Sequence, residues 1–299
     1  MNSNHHPSCP ICGSGKKVHM HQYAACHLVK CKSCSMIYAE RIPANQELEN
    51  HYKNYSRGRY VSDLTIQKYR ELLGQFGATA KNRRVLDVGC GSGFFLETAK
   101  KAGWQAIGTE FGNESIAHCR EKDIEVYEGD ILRIDLPKES FDVITSFEVI
   151  EHLSDPKSHI QRLYELLAPG GILYITTPNM NAITRYILKD AWSIISYPEH
   201  LSYFSPKTLN KLLCQEGLTK KWLRADGLSV DRLVNHFKKK KVVSENESPD
   251  KAKVKLTNES VRQASQKYVL IRLLRGMIDG ILNVSRSGEF LKGFYIKSK

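Results

Sequence analysis

Four cysteines stand in two pairs near the start of the chain, Cys9-Pro10-Ile11-Cys12 and Cys31-Lys32-Ser33-Cys34. Two such turns bring four thiolates together as a tetrahedral zinc site and leave no coordination position for a substrate. The chemistry expected is therefore structural. Metal affinity supplies folding energy that a short polar stretch cannot draw from a core. His19, His21, Cys26 and His27 lie between the pairs and read as surface residues of the intervening hairpin.

A second constellation is Val85-Leu86-Asp87-Val88-Gly89-Cys90-Gly91-Ser92-Gly93. An apolar strand runs into alternating glycines, and a helical pattern begins at Phe94. Glycine admits the positive φ angles of such a turn and lets a ligand approach the backbone. The helix N-terminus beyond it offers N–H groups to an anion. Glu110 closes the following strand about 20 residues further on, where a carboxylate can accept both ribose hydroxyls. Asp130, in Glu128-Gly129-Asp130-Ile131, follows the third strand within reach of an adenine amino group. Each acid also has a plainer reading, as a solvated carboxylate at a strand end.

The third constellation is Phe147-Glu148-Val149-Ile150-Glu151-His152, which leaves the fourth strand. In open α/β sheets ligands sit at the carboxyl ends of the strands. An imidazole there is suited to general-base work, with Glu151 fixing its tautomer. His200, in Tyr197-Pro198-Glu199-His200, is a second candidate base. The plainer readings are that Glu151 and His152 orient a loop or cap the next helix, and that His200 packs beneath a loop.

The elements that must position these residues follow an alternating rhythm. Strands are expected at 84–88, 105–108, 124–127, 141–146, 172–176, 218–224 and 291–297. Helices are expected at 61–76, 94–103, 113–122, 157–167, 206–216 and 268–284, with a turn at Pro169-Gly170-Gly171. Strands alternating with helices at this spacing make βαβ units and a parallel sheet, an α/β fold.

With these motifs in place, the chain resembles the class I S-adenosylmethionine-dependent methyltransferases over residues 81–224 and the last strand. The resemblance implies a doubly wound, Rossmann-like, seven-stranded sheet preceded by a zinc ribbon. It also implies that Asp87, Gly89, Gly91 and Gly93 cradle the methionine end of the cofactor. Glu110 would take the ribose, Asp130 and Ile131 the adenine edge, and Phe147 the ring face. A dinucleotide enzyme more often carries G-x-G-x-x-G, whereas the spacing here is G-x-G-x-G. The Asn/Asp-Pro-Pro-aromatic tetrad of amino-group methyltransferases is absent after the fourth strand. Thr177-Pro178-Asn179 and the aromatic stretch around Trp192 and Tyr197–Ser205 resemble the methyltransferases of quinone precursors, sugars and surface glycans. The ribbon followed by Tyr52 and Tyr55 resembles a bacterial subgroup that modifies sugars or envelope glycans.

The domain division expected is a zinc ribbon at 1–45, a helical linker and cofactor lid at 46–80, and a methyltransferase domain at 81–299 with a basic helical insertion at about 226–290. The 299-residue chain has a formal net charge of +12, unevenly spread. Residues 81–224 are close to neutral, whereas 225–299 hold 16 Lys+Arg against 8 Asp+Glu. That pattern argues for local basic patches rather than a uniform nucleic-acid surface. A lysine run at Lys238–Lys241 precedes a polar stretch at Ser244–Pro249.

The amphipathic 268–284 helix suits either packing on the domain or an anionic membrane surface. No apolar run reaches the length of a membrane span, and Met1–Pro10 lacks the apolar core of a signal peptide. The eight cysteines do not form a secreted disulfide framework. The location expected is the cytoplasm, with 268–284 as the segment that would touch the inner face of the membrane. The reading is a methyltransferase acting on a small molecule or glycan. Its rivals are an RNA methyltransferase that docks through the ribbon and the basic insertion, and a cofactor-binding scaffold without chemistry.

Overall fold

The computed structural model describes residues 4–44, 46–48, 60–229, 232–234 and 269–298. Tyr52, Tyr55, Lys238–Lys241 and Ser244–Pro249 lie outside the described residues, as do most of the linker at 46–60 and of the basic insertion.

The N-terminal part contains three short strands, β1 (Lys17–His19), β2 (Leu28–Cys31) and β3 (Ile37–Ala39). Helix α1 (Asp63–Gly77) follows, its first turn capped by the Ser62 hydroxyl, which accepts from Thr65 N. The alternating region then runs β4 (Arg84–Val88), α2 (Phe94–Lys101), β5 (Gln105–Glu110), α3 (Asn113–Glu121), β6 (Glu125–Glu128), β7 (Phe141–Phe147), α4 (Pro156–Leu166) and β8 (Leu167–Pro178). The last elements are α5 (Ile183–Leu188), β9 (Ser202–Tyr203), α6 (Pro206–Gln215), β10 (Leu218–Asp226), α7 (Val269–Val284) and β11 (Phe290–Lys297).

Seven strands form one sheet in the order β10-β11-β8-β7-β4-β5-β6. The pairs from β8 to β6 are parallel, and β11 runs antiparallel between β8 and β10. The order steps away from β4 on both sides, so helices must cover both faces. The central strands β4 and β7 are buried along nearly their whole length, as strands covered on both faces must be. This is the doubly wound, Rossmann-like, seven-stranded α/β sheet expected from the sequence. Among the described residues no helix is long and apolar enough to cross a membrane.

Two local departures from expectation have physical causes. Pro169-Gly170-Gly171 is not a separate turn but a bulge within β8. Phe141 pairs with Leu167 and Val143 with Ile172, so the extra residues loop out between two paired positions. Helix α5 escaped the sequence reading because three of its six residues, Ile183, Tyr186 and Ile187, are apolar but exposed.

The start of β4 is held by a single carboxylate. Asp142 accepts from the backbone N–H of Lys81, Asn82 and Arg84 at 3.2, 3.1 and 3.0 Å. Hydrogen bonds to a charged acceptor contribute about 1.5–3 kcal/mol each before water compensates. We expect Asp142→Ala to lower the unfolding free energy by about 2–4 kcal/mol, read from urea denaturation. A loss within error of zero would mean that solvent replaces all three bonds.

Candidate functional site

The carboxyl ends of β4, β5 and β7 carry the chemistry-bearing side chains. The turn after β4 has Gly89, Gly91 and Gly93 at φ +70°, +53° and +74°. At Gly93 the requirement is also steric: a Cβ would stand 2.8 Å from both Cys119 Sγ and Ile124 Cδ1. The turn is pinned by Glu110, whose Oε2 accepts from Gly91 N at 2.7 Å and whose Oε1 accepts from Phe111 N and Gly112 N at 2.9 and 3.0 Å. Asp87 lies beneath, buried, and accepts from the Thr145 hydroxyl at 2.7 Å. Burial pushes the Asp87 carboxyl up to about 8.

An open cavity of about 460 Å³ beyond β6 is lined by Phe111, Glu128, Gly129, Asp130, Arg133 and Ile134. Asp130 Oδ1 also accepts from Leu132 N at 3.0 Å. Ile131 turns its side chain into the core, 3% exposed. Phe147 is not among the residues lining this cavity. Its ring packs with Tyr69 of α1, Phe95 of α2 and Tyr174 of β8, at centroid distances of 5.9, 5.2 and 5.7 Å. The sequence reading missed Phe111, an aromatic ring 68% exposed on the cavity wall. Its signal was adjacency to Glu110.

Glu151, His152 and His200 converge although 48 residues separate the two histidines in sequence. One carboxylate oxygen and one nitrogen from each ring all lie within 4.8 Å of one another. The ring centroids are 4.8 Å apart. His152 Nδ1 pairs with Glu199 O at 2.8 Å, and His200 Nδ1 with Ile194 O at 2.7 Å. A carbonyl accepts only, so each neutral ring carries its proton on Nδ1 and keeps Nε2 as the basic nitrogen. The His152 tautomer is therefore fixed by the Glu199 carbonyl and not by Glu151, as the sequence had suggested, because the Nδ1 side of the ring faces the backbone of the 197–200 turn. Burial holds His200 below its ordinary value.

Glu151 accepts from the Thr177 hydroxyl at 3.0 Å. Burial, followed by the neighbouring charge of Glu148, raises its carboxyl well above the usual range. Glu148 was also missed. It accepts from the Thr176 hydroxyl at 2.7 Å, and burial pushes it up to about 7. The cleft beside this group is lined by Glu151, Pro178, Met180, Trp192, Ile194, His200, Ser202 and Tyr203, and in this conformation it is too tight for a water molecule.

The four cysteine sulfurs form a second cluster, also within 4.8 Å of one another, with Cys9–Cys34 and Cys12–Cys31 at 3.5 and 3.6 Å. A tetrahedron of Zn–S bonds of about 2.3 Å has edges of about 3.8 Å, so the set fits a closed tetrathiolate site. The ribbon that carries it is joined to the site. Its sheet has the order β1-β2-β3-β9, and β9 lies two residues beyond His200. Ile37 pairs with Tyr203 and Tyr38 with Ser202, and Leu201 O accepts from Ala39 N at 2.8 Å. On the far side of the same segment Leu201 N donates to Glu151 O at 2.8 Å, and the Ser202 hydroxyl to Leu153 O at 3.2 Å. The loop carrying His200 is thus held between the ribbon and the segment carrying His152.

A family model described as a methyltransferase domain matches residues 59–221, more than half of the chain. The chain belongs to that family. This methyltransferase-family chain is 31% identical over 174 residues to the "Ubiquinone biosynthesis O-methyltransferase" of Pseudomonas fluorescens, covering 52% of this chain and 72% of that protein. It is 32% identical over 99 residues to a "Probable S-adenosylmethionine-dependent methyltransferase" of Mycolicibacterium smegmatis, covering 32% of this chain and 38% of that protein. The chain thus spans well under half the length of that mycobacterial relative. Among solved structures, a SAM-dependent methyltransferase from Archaeoglobus fulgidus superposes with a TM-score of 0.53 at 20% identity, covering 84% of this chain and 98% of that one. At that identity the likeness concerns the fold.

Proposed function

We propose that this methyltransferase-family chain transfers the methyl group of S-adenosylmethionine to a small-molecule or glycan acceptor. The observation that carries the reading is that a glycine turn pinned by Glu110 and a Glu151–His152–His200 cluster lie at the same end of the sheet. When bound, S-adenosylmethionine supplies an electrophilic methyl group on a sulfonium. Asp87, Gly89, Gly91 and Gly93 hold its methionine end, Glu110 the ribose, and Asp130 with the Ile131 backbone the adenine edge. Phe111 offers a ring face that complements the role assigned to Phe147. The linker helix α1, packed on Phe95 and Phe147 through Tyr69, forms part of the lid.

The remaining chemistry belongs to the protein's own side chains. The acceptor approaches from the open side of the half-buried His152, because the cleft walled by Pro178, Met180, Trp192 and Ile194 is closed even to water. His152 Nε2 receives the proton that leaves an acceptor hydroxyl, while Glu199 O fixes the ring. His200 stands beside it as the second base, and Glu151 steadies the pair. Removing the proton in concert with attack avoids a free alkoxide, which is the usual contribution of a positioned base. Zinc on Cys9, Cys12, Cys31 and Cys34 is structural in this reading and takes no part in the reaction. The assignment is supported by the donor set and its spacing.

The test is cofactor binding by Glu110→Ala, measured by calorimetry. The substitution removes the ribose acceptor and also frees Gly91 N, so affinity should fall at least about tenfold. Urea denaturation of the same variant checks that the fold survives. Unchanged affinity in a folded variant would remove Glu110 from the cofactor site.

A further inference from the structure

Helix α7 is turned the opposite way from a helix packed on a core. Two of its polar side chains face the protein: Asp279 Oδ1 accepts from Gly227 N at 3.1 Å and Asn283 Oδ1 from Ala225 N at 3.0 Å, with Leu282 buried beside them. Six apolar side chains face outward: Leu273, Leu274, Met277, Ile278, Ile281 and Val284 are all exposed. Helix α5 repeats the inversion, with Thr184 and Leu188 buried and Ile183, Tyr186 and Ile187 exposed. The loop after α7 is tied to the start of α5, because Ser287 O accepts from Ile183 N at 2.9 Å and Arg286 O from Asn179 Nδ2 at 3.0 Å. Exposed apolar area on this scale marks an interaction surface.

Charge selects the occupant. Asp279 is the only acid in Val269–Val284, and it is engaged inward. Lys189 and Arg286 are exposed at the ends of the two helices, and the Arg185 guanidinium stacks over the exposed Tyr186 ring at 5.1 Å. A second copy of the chain would set like charge against like, whereas an anionic bilayer supplies the complementary sign. We propose that α5 and α7 together form a docking face for an anionic phospholipid membrane, the helices lying in the interfacial plane. The face adjoins the buried wall beside His200, since α5 links Met180 to Trp192, both of which line it. Docking would bring that side of the site to the bilayer surface. The docking itself stands apart from the methyl-transfer reading.

The experiment is co-sedimentation of the full chain with vesicles of phosphatidylcholine, alone or with about one third phosphatidylglycerol. Binding should be at least about tenfold stronger to the anionic vesicles and should weaken as salt rises. The double variant Met277→Glu with Ile281→Glu changes two exposed positions and should lose at least about tenfold of that binding. Circular dichroism of the variant checks the fold. Absence of vesicle binding, or equal binding by a folded double variant, overturns the proposal. So does a dimer, seen by analytical ultracentrifugation, that the double variant dissociates while lipid binding is absent. That result would assign the face to a second copy.

Discussion

Turnover should fall by about 100- to 10,000-fold when His152 is replaced by glutamine, while cofactor affinity stays at the wild-type value. Glutamine can still donate to the Glu199 carbonyl that holds His152 Nδ1 at 2.8 Å, but it cannot take up a proton. The substitution therefore separates a base from a structural group. The pH profile adds a second readout. Burial holds His200 below its ordinary value, so it stays neutral around neutrality. Glu148 is pushed up to about 7, so it passes from acid to anion within the assay range. Its charge acts on the neighbouring Glu151 carboxyl, so a rate change centred near 7 that Glu148→Gln abolishes would show that this charge reaches the reaction, and an unchanged profile in Glu148→Gln would show that it does not. Near-normal turnover in His152→Gln would leave the imidazole as packing, and the same substitution at His200 would then be the next measurement.

Zinc on the four-cysteine cluster, as proposed above, should matter to turnover through the fold rather than through the chemistry. Zinc bound by four thiolates contributes about 10–16 kcal/mol of apparent binding energy, which for a small ribbon is folding energy. That exceeds or matches the whole stability of most domains, about 5–15 kcal/mol. Cys34→Ser should lose about one equivalent of zinc and the amide protection of 28–39, and with it the protection of 201–203. Methyl transfer should drop to under a tenth of wild type, by roughly the loss of a positioned group. Cys26→Ser, which changes a cysteine outside the cluster, is the control and should retain metal and activity. Full protection and activity in metal-free protein would show that the ribbon folds on packing alone.

The parts of this molecule that were legible in sequence are those whose signal is local. A buried run such as Val85–Val88, followed by glycines that tolerate positive φ, announces itself in a dozen residues. The seven strands of the main sheet were found for that reason, and their ends moved by at most two residues except at β8, which begins five residues early across the 169–171 bulge. What could not be read depends on pairing across the chain. Strand β9 is two residues long, and nothing in Ser202-Tyr203 specifies that it completes the ribbon sheet. The amphipathic pattern of α7 was visible, but amphipathicity does not say which face looks outward. Asp279 and Asn283 settle that through bonds to the β10 end, more than 50 residues away in sequence. Phe111 and Glu148 carry no signal of their own in sequence beside Glu110 and Glu151. Their exposure and burial become meaningful only once the cavity and the cleft exist.

The β3–β9 pairing also bears on how such a molecule can be cut or recombined. A strand of two residues, Ser202–Tyr203, has no stability of its own and borrows its order from Ile37 and Tyr38. Deleting residues 1–44 would leave Leu201 and Tyr203, now buried, as an unpaired apolar edge and a template for intermolecular pairing. A ribbon grafted from a relative would face the same difficulty unless residues 199–204 travelled with it. The unit that can be exchanged is therefore discontinuous: a head at the start of the chain and a short graft some 160 residues later, inherited together or not at all.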